Sequence, residues 1–164
     1  MTYSGKDAFV ALRGVIVATA FVLLWTWLAT LARGFDPEWG VSLPPWLRPI
    51  GYLLIALGAG LAATCVTVFI SRGKGTPAPF DPPRRFVATG PYRWVRNPMY
   101  WGAVGVLLGA GFVVASPSIA LLALLFWTLA HLFVVTYEEP ALERRFGAEY
   151  AAYKATVNRW LPRL

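Results

Sequence analysis

Four apolar runs, at about 8–32, 50–70, 98–115 and 119–137, constrain this chain more than any other feature of its sequence. A helix needs about 20 mostly apolar residues to cross a bilayer, and each run comes close to that. Lipid offers backbone amides no hydrogen-bond partner, so such runs span as helices. Composition agrees: 57% of residues are hydrophobic and 14% charged, against about 25% charged in soluble domains. Mean hydropathy is +0.55. The first run is too long for a cleavable signal peptide, and no small-residue cleavage site clearly follows it. The expected fold is an all-α integral membrane protein. It has four transmembrane helices plus a C-terminal interfacial amphipathic helix, in a single domain over 1–164.

The connections set the topology. Residues 33–49 hold Pro37, Pro44, Pro45 and Pro49, with Trp39 and Trp46 suited to an interfacial belt. The 71–97 loop sets Arg72, Lys74, Arg84, Arg85, Arg93 and Arg96 against Asp81 alone, and the tail adds Arg144, Arg145, Lys154, Arg159 and Arg163. The opposite side has only Arg33 and Arg48 in its loop. Cations gather on the cytoplasmic side of spans. Both termini are therefore expected in the cytoplasm, as in a bacterial inner membrane protein. The net charge of +7 lies beside span ends, which suits anionic headgroups rather than nucleic acid. Cys65, the single cysteine, cannot form an internal disulfide. Ser116-Pro117-Ser118 reads as a tight turn, pairing spans three and four as an antiparallel hairpin. In the tail, Leu142, Phe146, Tyr150, Tyr153 and Val157 recur at helical spacing, predicting one helix. Gly147 in its interior would cost about 1 kcal/mol.

Two polar clusters carry the candidate chemistry. Residues 90–102 read GPYRWVRNPMYWG, where the basic loop runs into span three at Pro98. Glu138 and Glu139 follow the fourth apolar run. Two carboxylates at a helix C-terminus repel each other and oppose the dipole, so they call for a cation. Arg93 and Arg96 can supply it as an ion pair, or a positively charged ligand can. The hairpin brings the two clusters to one membrane face. His131 lies two turns before Glu138 and is either a hydrogen-bonded neutral ring or a ligand contact. Tyr92, Trp94, Tyr100 and Trp101 are belt aromatics or stacking surfaces for a planar ring. Gly102, Gly105 and Gly109 form one face of span three, and Gly51, Gly58 and Ala62 a stripe on span two. Such faces allow close helix packing, or leave room for a ligand. One His and one Cys are too few soft ligands for a zinc site. GxGxxG, P-loop, GxSxG and HExxH motifs are absent. A zwitterionic nucleotide-like ligand such as S-adenosylmethionine would match cations, aromatics and carboxylates together, although the residues alone do not name it.

GPYRWVRNPMYWG, followed by EEPALERRFGAEYAAYKATVNRWLP, resembles the isoprenylcysteine carboxyl methyltransferase and phospholipid methyltransferase superfamily over about residues 84–164. Arg96, Pro98, Tyr100 and Gly102 match its first motif. Glu138, Glu139 and Leu142 match the second, and Phe146, Gly147, Tyr150 and Tyr153 the third. The resemblance implies S-adenosylmethionine as methyl donor and a lipophilic acceptor. Tyr92, Arg93, Arg96, Asn97, Tyr100, Gly102, Glu138, Glu139, Tyr150 and Tyr153 would bind the cofactor. His131, on the acceptor side, and Glu138 are the candidate catalytic groups. Asn97 stands where eukaryotic members have His. Val134 and Val135 lie where carboxyl methyltransferases carry an Arg, which argues against a prenylcysteine substrate. The alternatives are an NADPH-dependent reductase of the sterol-reductase type and a non-catalytic four-span binding protein.

Overall fold

The computed structural model describes residues 5–73 and 86–163. Lys74, Arg84 and Arg85 of the basic loop lie outside the described residues, as does the side chain of Arg13. Among the described residues all regular structure is helical. Helix α1 is Gly5–Arg33, α2 the single turn Asp36–Trp39, α3 Leu47–Val68, α4 Pro98–Val113, α5 Pro117–Phe133, α6 Glu139–Phe146 and α7 Ala148–Thr156. Three stretches are long and apolar enough to cross a membrane: Val15–Trp39, Leu47–Arg72 and Pro117–Phe146. Helix α4 is apolar but has only 16 residues, a rise of about 24 Å.

Helices α3 and α4 run antiparallel with their backbones in contact. A Cβ on Gly58 would stand 2.5 Å from the Gly102 carbonyl oxygen, and one on Gly109 would stand 2.6 Å from that of Gly51. The two pairs are two turns apart on each helix, which fixes the crossing. The glycine face of the third apolar run is thus filled by a neighbouring helix, and the packing alternative holds there over the ligand-room one.

Helix α5 returns beside α4. The Ser116 side chain caps it by accepting from the Ile119 amide at 3.1 Å. Leu107, Ile119, Ala123 and Phe126 form a core against which Trp25 and Ala29 of α1 pack. The other faces of α1 are exposed apolar surface, including Leu23, Leu24 and Trp27, as expected of a helix solvated by lipid. Asp36 Oδ1 accepts from the Ser118 amide at 3.1 Å, and the Leu43 amide donates to the Ala115 carbonyl at 3.2 Å. These bonds put the 34–46 connection and the α4–α5 turn at one end of the bundle. The junction before α4 and the end of α5 share the other end.

Two expectations are corrected. The acidic pair does not end a helix: α5 passes through a π-helical turn, Val134–Glu138, directly into α6. Nor is the tail one helix. Gly147, at φ 51° and ψ −123°, separates α6 from α7. This is a backbone state that a glycine adopts far more readily than other residues, so it re-aims the chain where the apolar spacing ran straight on.

Candidate active site

The π turn matters first. It inserts a residue into the helix, so the Glu139 amide donates to the Val134 carbonyl five residues back. Val134 and Glu139 are both buried, at 0% and 5% exposure. A buried carboxylate needs charged or hydrogen-bonding partners. Glu139 has two. Arg96, in the junction, approaches Oε1 at 3.0 Å. Arg159, from beyond α7, donates from Nε and Nη2 to the two oxygens at 2.8 Å each. That fork-on-fork pairing is the strongest form of guanidinium–carboxylate contact. The bond to Glu139 raises the pKa of Arg159 above its already high ordinary value.

Glu138 sits beside this triad and accepts a 2.9 Å hydrogen bond from the Tyr100 hydroxyl. The junction residues and the acidic doublet, 38 or more positions apart in sequence, therefore meet. The chain reaches α4 through the tight turn Gly90–Arg93, opened by Gly90 at φ 62°. Tyr92 is buried with Cys65 and Val87 under the end of α3. Its carbonyl accepts the Tyr153 hydroxyl at 2.5 Å. Phe86 packs on Phe146, Tyr150 and Tyr153 with centroids 5.4, 5.9 and 5.1 Å apart. Burial pushes the phenol pKa values of Tyr92, Tyr150 and Tyr153 upward. These three form a wall under the site, and Tyr150 and Tyr153 anchor α7 to the junction.

The sequence candidates separate into groups. Arg96, Asn97, Tyr100, Glu138 and Glu139 converge, and Tyr92, Tyr150 and Tyr153 brace them. Arg93 stays outside: it is exposed and lies over the Trp94 ring at 5.0 Å. Of the two arginines expected to face the acidic pair, only Arg96 does so. Gly102 is turned to α3, and a Cβ there would stand 2.7 Å from the Gly58 carbonyl oxygen. Its missing side chain serves the helix contact. His131 Nδ1 accepts from the Trp160 indole at 2.9 Å, so in the neutral ring the proton is on Nε2. Of the two readings of His131, a hydrogen-bonded ring or a ligand contact, the structure shows the hydrogen bond, with Trp160 as its partner.

Sequence reading missed Arg159 and Trp160. Three successive carbonyls at the chain end are bound by the junction. The Arg96 amide donates to Asn158 at 2.9 Å, Asn97 Nδ2 to Arg159 at 3.4 Å, and Trp101 Nε1 to Trp160 at 2.9 Å. The Trp160 ring lies 6.3 Å from Tyr100 and 6.0 Å from Trp127. The available signal was the NRW triplet after the last helical repeat, a cation and an aromatic where the periodicity stops. Buried Nε of Arg96 has no partner among the described residues. The site thus holds two carboxylates, Glu139 paired with two guanidiniums and Glu138 with a phenol, together with a guanidinium that has a spare donor and aromatic faces around them.

Long apolar helices with this buried charged cluster at one bundle end define an integral membrane protein with a polar site next to lipid. The chain belongs to the phospholipid methyltransferase family, whose model matches residues 47–149. It is thereby placed among membrane methyltransferases. Arg96, Tyr100, Glu138 and Glu139 lie within the matched stretch, while Arg159 and Trp160 lie beyond it. No curated protein matches the chain.

Proposed function

We propose that the protein transfers a methyl group from S-adenosylmethionine to a lipophilic acceptor at the cytoplasmic membrane face. The observation that carries this reading is the meeting of Arg96 and Tyr100 with Glu139 and Glu138, inside the stretch matched by the family. The donor set fits the cofactor. Glu139 or Glu138 would take its ammonium, the Nε of Arg96, without a partner among the described residues, its carboxylate, and Tyr100, Trp101 or Trp160 an aromatic face. Asn97, 7% exposed, supplies an amide for further hydrogen bonding. When bound, the cofactor supplies an electrophilic methyl group on sulfur.

The remaining work is orientation and exclusion of water. Arg96 and the carboxylates hold the charged end of the ligand in a fixed place, because each is itself held by a buried partner. The phenol wall keeps water from below. Helix α4, at about 24 Å, is shorter than the roughly 30 Å hydrocarbon core. As a fourth span it would bring the junction below headgroup level, within reach of a lipid acceptor lying between helices. Cations at the same end, Arg93, Arg144 and Arg145 among them, support its cytoplasmic orientation. His131 Nε2 carries a proton in the neutral ring, so towards an acceptor it serves as a donor and not as a base. Family membership favours this reading over an NADPH-dependent reductase or a non-catalytic binder.

The test is transfer of label from methyl-labelled donor into a total lipid extract, with the product identified by mass. Labelled lipid that depends on Glu139 and Arg96 is the expected result. Saturable binding of NADPH without binding of S-adenosylhomocysteine would overturn the proposal.

A further inference from the structure

Both oxygens of Glu139 are already taken. One guanidinium comes from Arg96, whose side chain is 9% exposed, and the other from Arg159, at 29%. Arg96 is pinned by the helix it precedes. Arg159 sits on the stretch after α7, which turns extended at Val157 (φ −120°, ψ 124°). The same stretch places Trp160 on His131. So the two side chains of one short terminal segment cover two groups that the proposed reading assigns to ligands, one cationic and one on the acceptor side. Besides these side-chain contacts the segment's backbone is held by three carbonyls bonded from the junction, one of them at 3.4 Å, while Asn158 and Leu161 are exposed.

We propose that residues 158–160 are a built-in plug, with the Arg159 guanidinium standing where a ligand's ammonium would bind Glu139. An incoming ammonium and Arg159 then compete for one carboxylate. Binding exchanges one cation for another and releases Trp160 from His131, so filling the cofactor end uncovers the acceptor end. The plug thereby couples two halves of the site and keeps a buried carboxylate paired throughout, since an unpaired one is costly. This inference rests on the proposed cofactor reading for the identity of the ligand, but not for the hold of Glu139 on the segment.

The experiment uses the full chain in lipid nanodiscs, wild type and Arg159→Gln, with S-adenosylhomocysteine as probe. A plug predicts about five- to tenfold tighter probe binding by calorimetry in Arg159→Gln. It also predicts faster hydrogen exchange at residues 158–161 and at the Arg96 amide when the probe binds wild type. Without any probe, Arg159→Gln must already speed exchange at the Arg96 amide. Weaker probe binding in Arg159→Gln would make the segment a wall of the site and overturn the plug, as would unchanged exchange at the Arg96 amide. Absence of probe binding in both proteins would sink the cofactor reading. The probe-free exchange comparison would then decide whether Glu139 holds the segment. Trp160→Phe, which keeps the aromatic face and loses the indole donor, should loosen the same amide less than Arg159→Gln.

Discussion

The α3–α4 seam and the polar end of the bundle hold the molecule together by opposite means. The seam is backbone against backbone, with no side chain at Gly51, Gly58, Gly102 or Gly109 to rearrange. The polar end is built from side-chain bonds drawn from three distant stretches, 92–101, 131–139 and 153–160. The first arrangement has one geometry and no slack. The second can exchange partners without losing the fold. A rigid seam ending in an exchangeable cap lets a site change its contacts while its frame stays fixed.

The largest effect should come from filling the seam. Gly58→Leu places atoms where Gly102 backbone already stands, 2.5 Å from a Cβ, and should cost roughly 3 kcal/mol or more. Reversible unfolding in mixed micelles would show it; a near-native midpoint would mean that the helices do not touch there. At the cap, Glu139→Gln leaves two guanidiniums without their carboxylate and should destabilise by about 3 kcal/mol. It should also weaken S-adenosylhomocysteine at least about tenfold, or 1.4 kcal/mol. Wild-type affinity in that variant, measured by calorimetry, would remove Glu139 from the ligand's contacts.

Smaller changes sharpen the contrast. Tyr100→Phe removes one hydrogen bond to Glu138 and should cost about 1.5 kcal/mol, read in the same micelle assay. The phenols of Tyr92, Tyr150 and Tyr153 are raised by burial. Folding therefore favours their protonated forms. That stability is complete below about pH 10, the ordinary phenol value, and is lost as pH rises beyond it. Tyr150→Phe should flatten the alkaline loss by up to about 1.4 kcal/mol per pH unit; an unchanged slope would mean that the ring is wet. Smallest of all is Gly105→Ala on α4. Its Cβ would meet α3 at 3.4 Å, an ordinary contact, so stability should shift by less than about 0.5 kcal/mol.

The seam was largely legible in the sequence, and the cap only in part. Small residues at helical spacing announce close packing, and Pro98 marks the start of α4 because its ring suits a first helical turn. The meeting of 90–102 with Glu138-Glu139 followed from hairpin topology. What stayed hidden depends on single backbone angles. Apolar spacing from Leu142 to Val157 runs straight through Gly147, so the unfavourable glycine was the one sign of the break there. Arg93 and Arg96 looked equivalent as partners for the carboxylates, yet only a three-dimensional path separates the buried one from the exposed one. Arg159 lies past the last repeat, where periodicity has no more to say.

The extra residue in the α5–α6 helix has a directional consequence. Five steps along an ordinary α-helix turn through about 500°, which leaves the sixth residue some 140° away from the first. By widening one coil, Val134 and Glu139 both come to point inward. The stripe that faces apolar neighbours up to Val134 is handed on to a carboxylate. Were the same residues wound there as ordinary α-helix, Glu139 would swing away from both arginines and strand them, although no atom of the charged cluster itself had been changed.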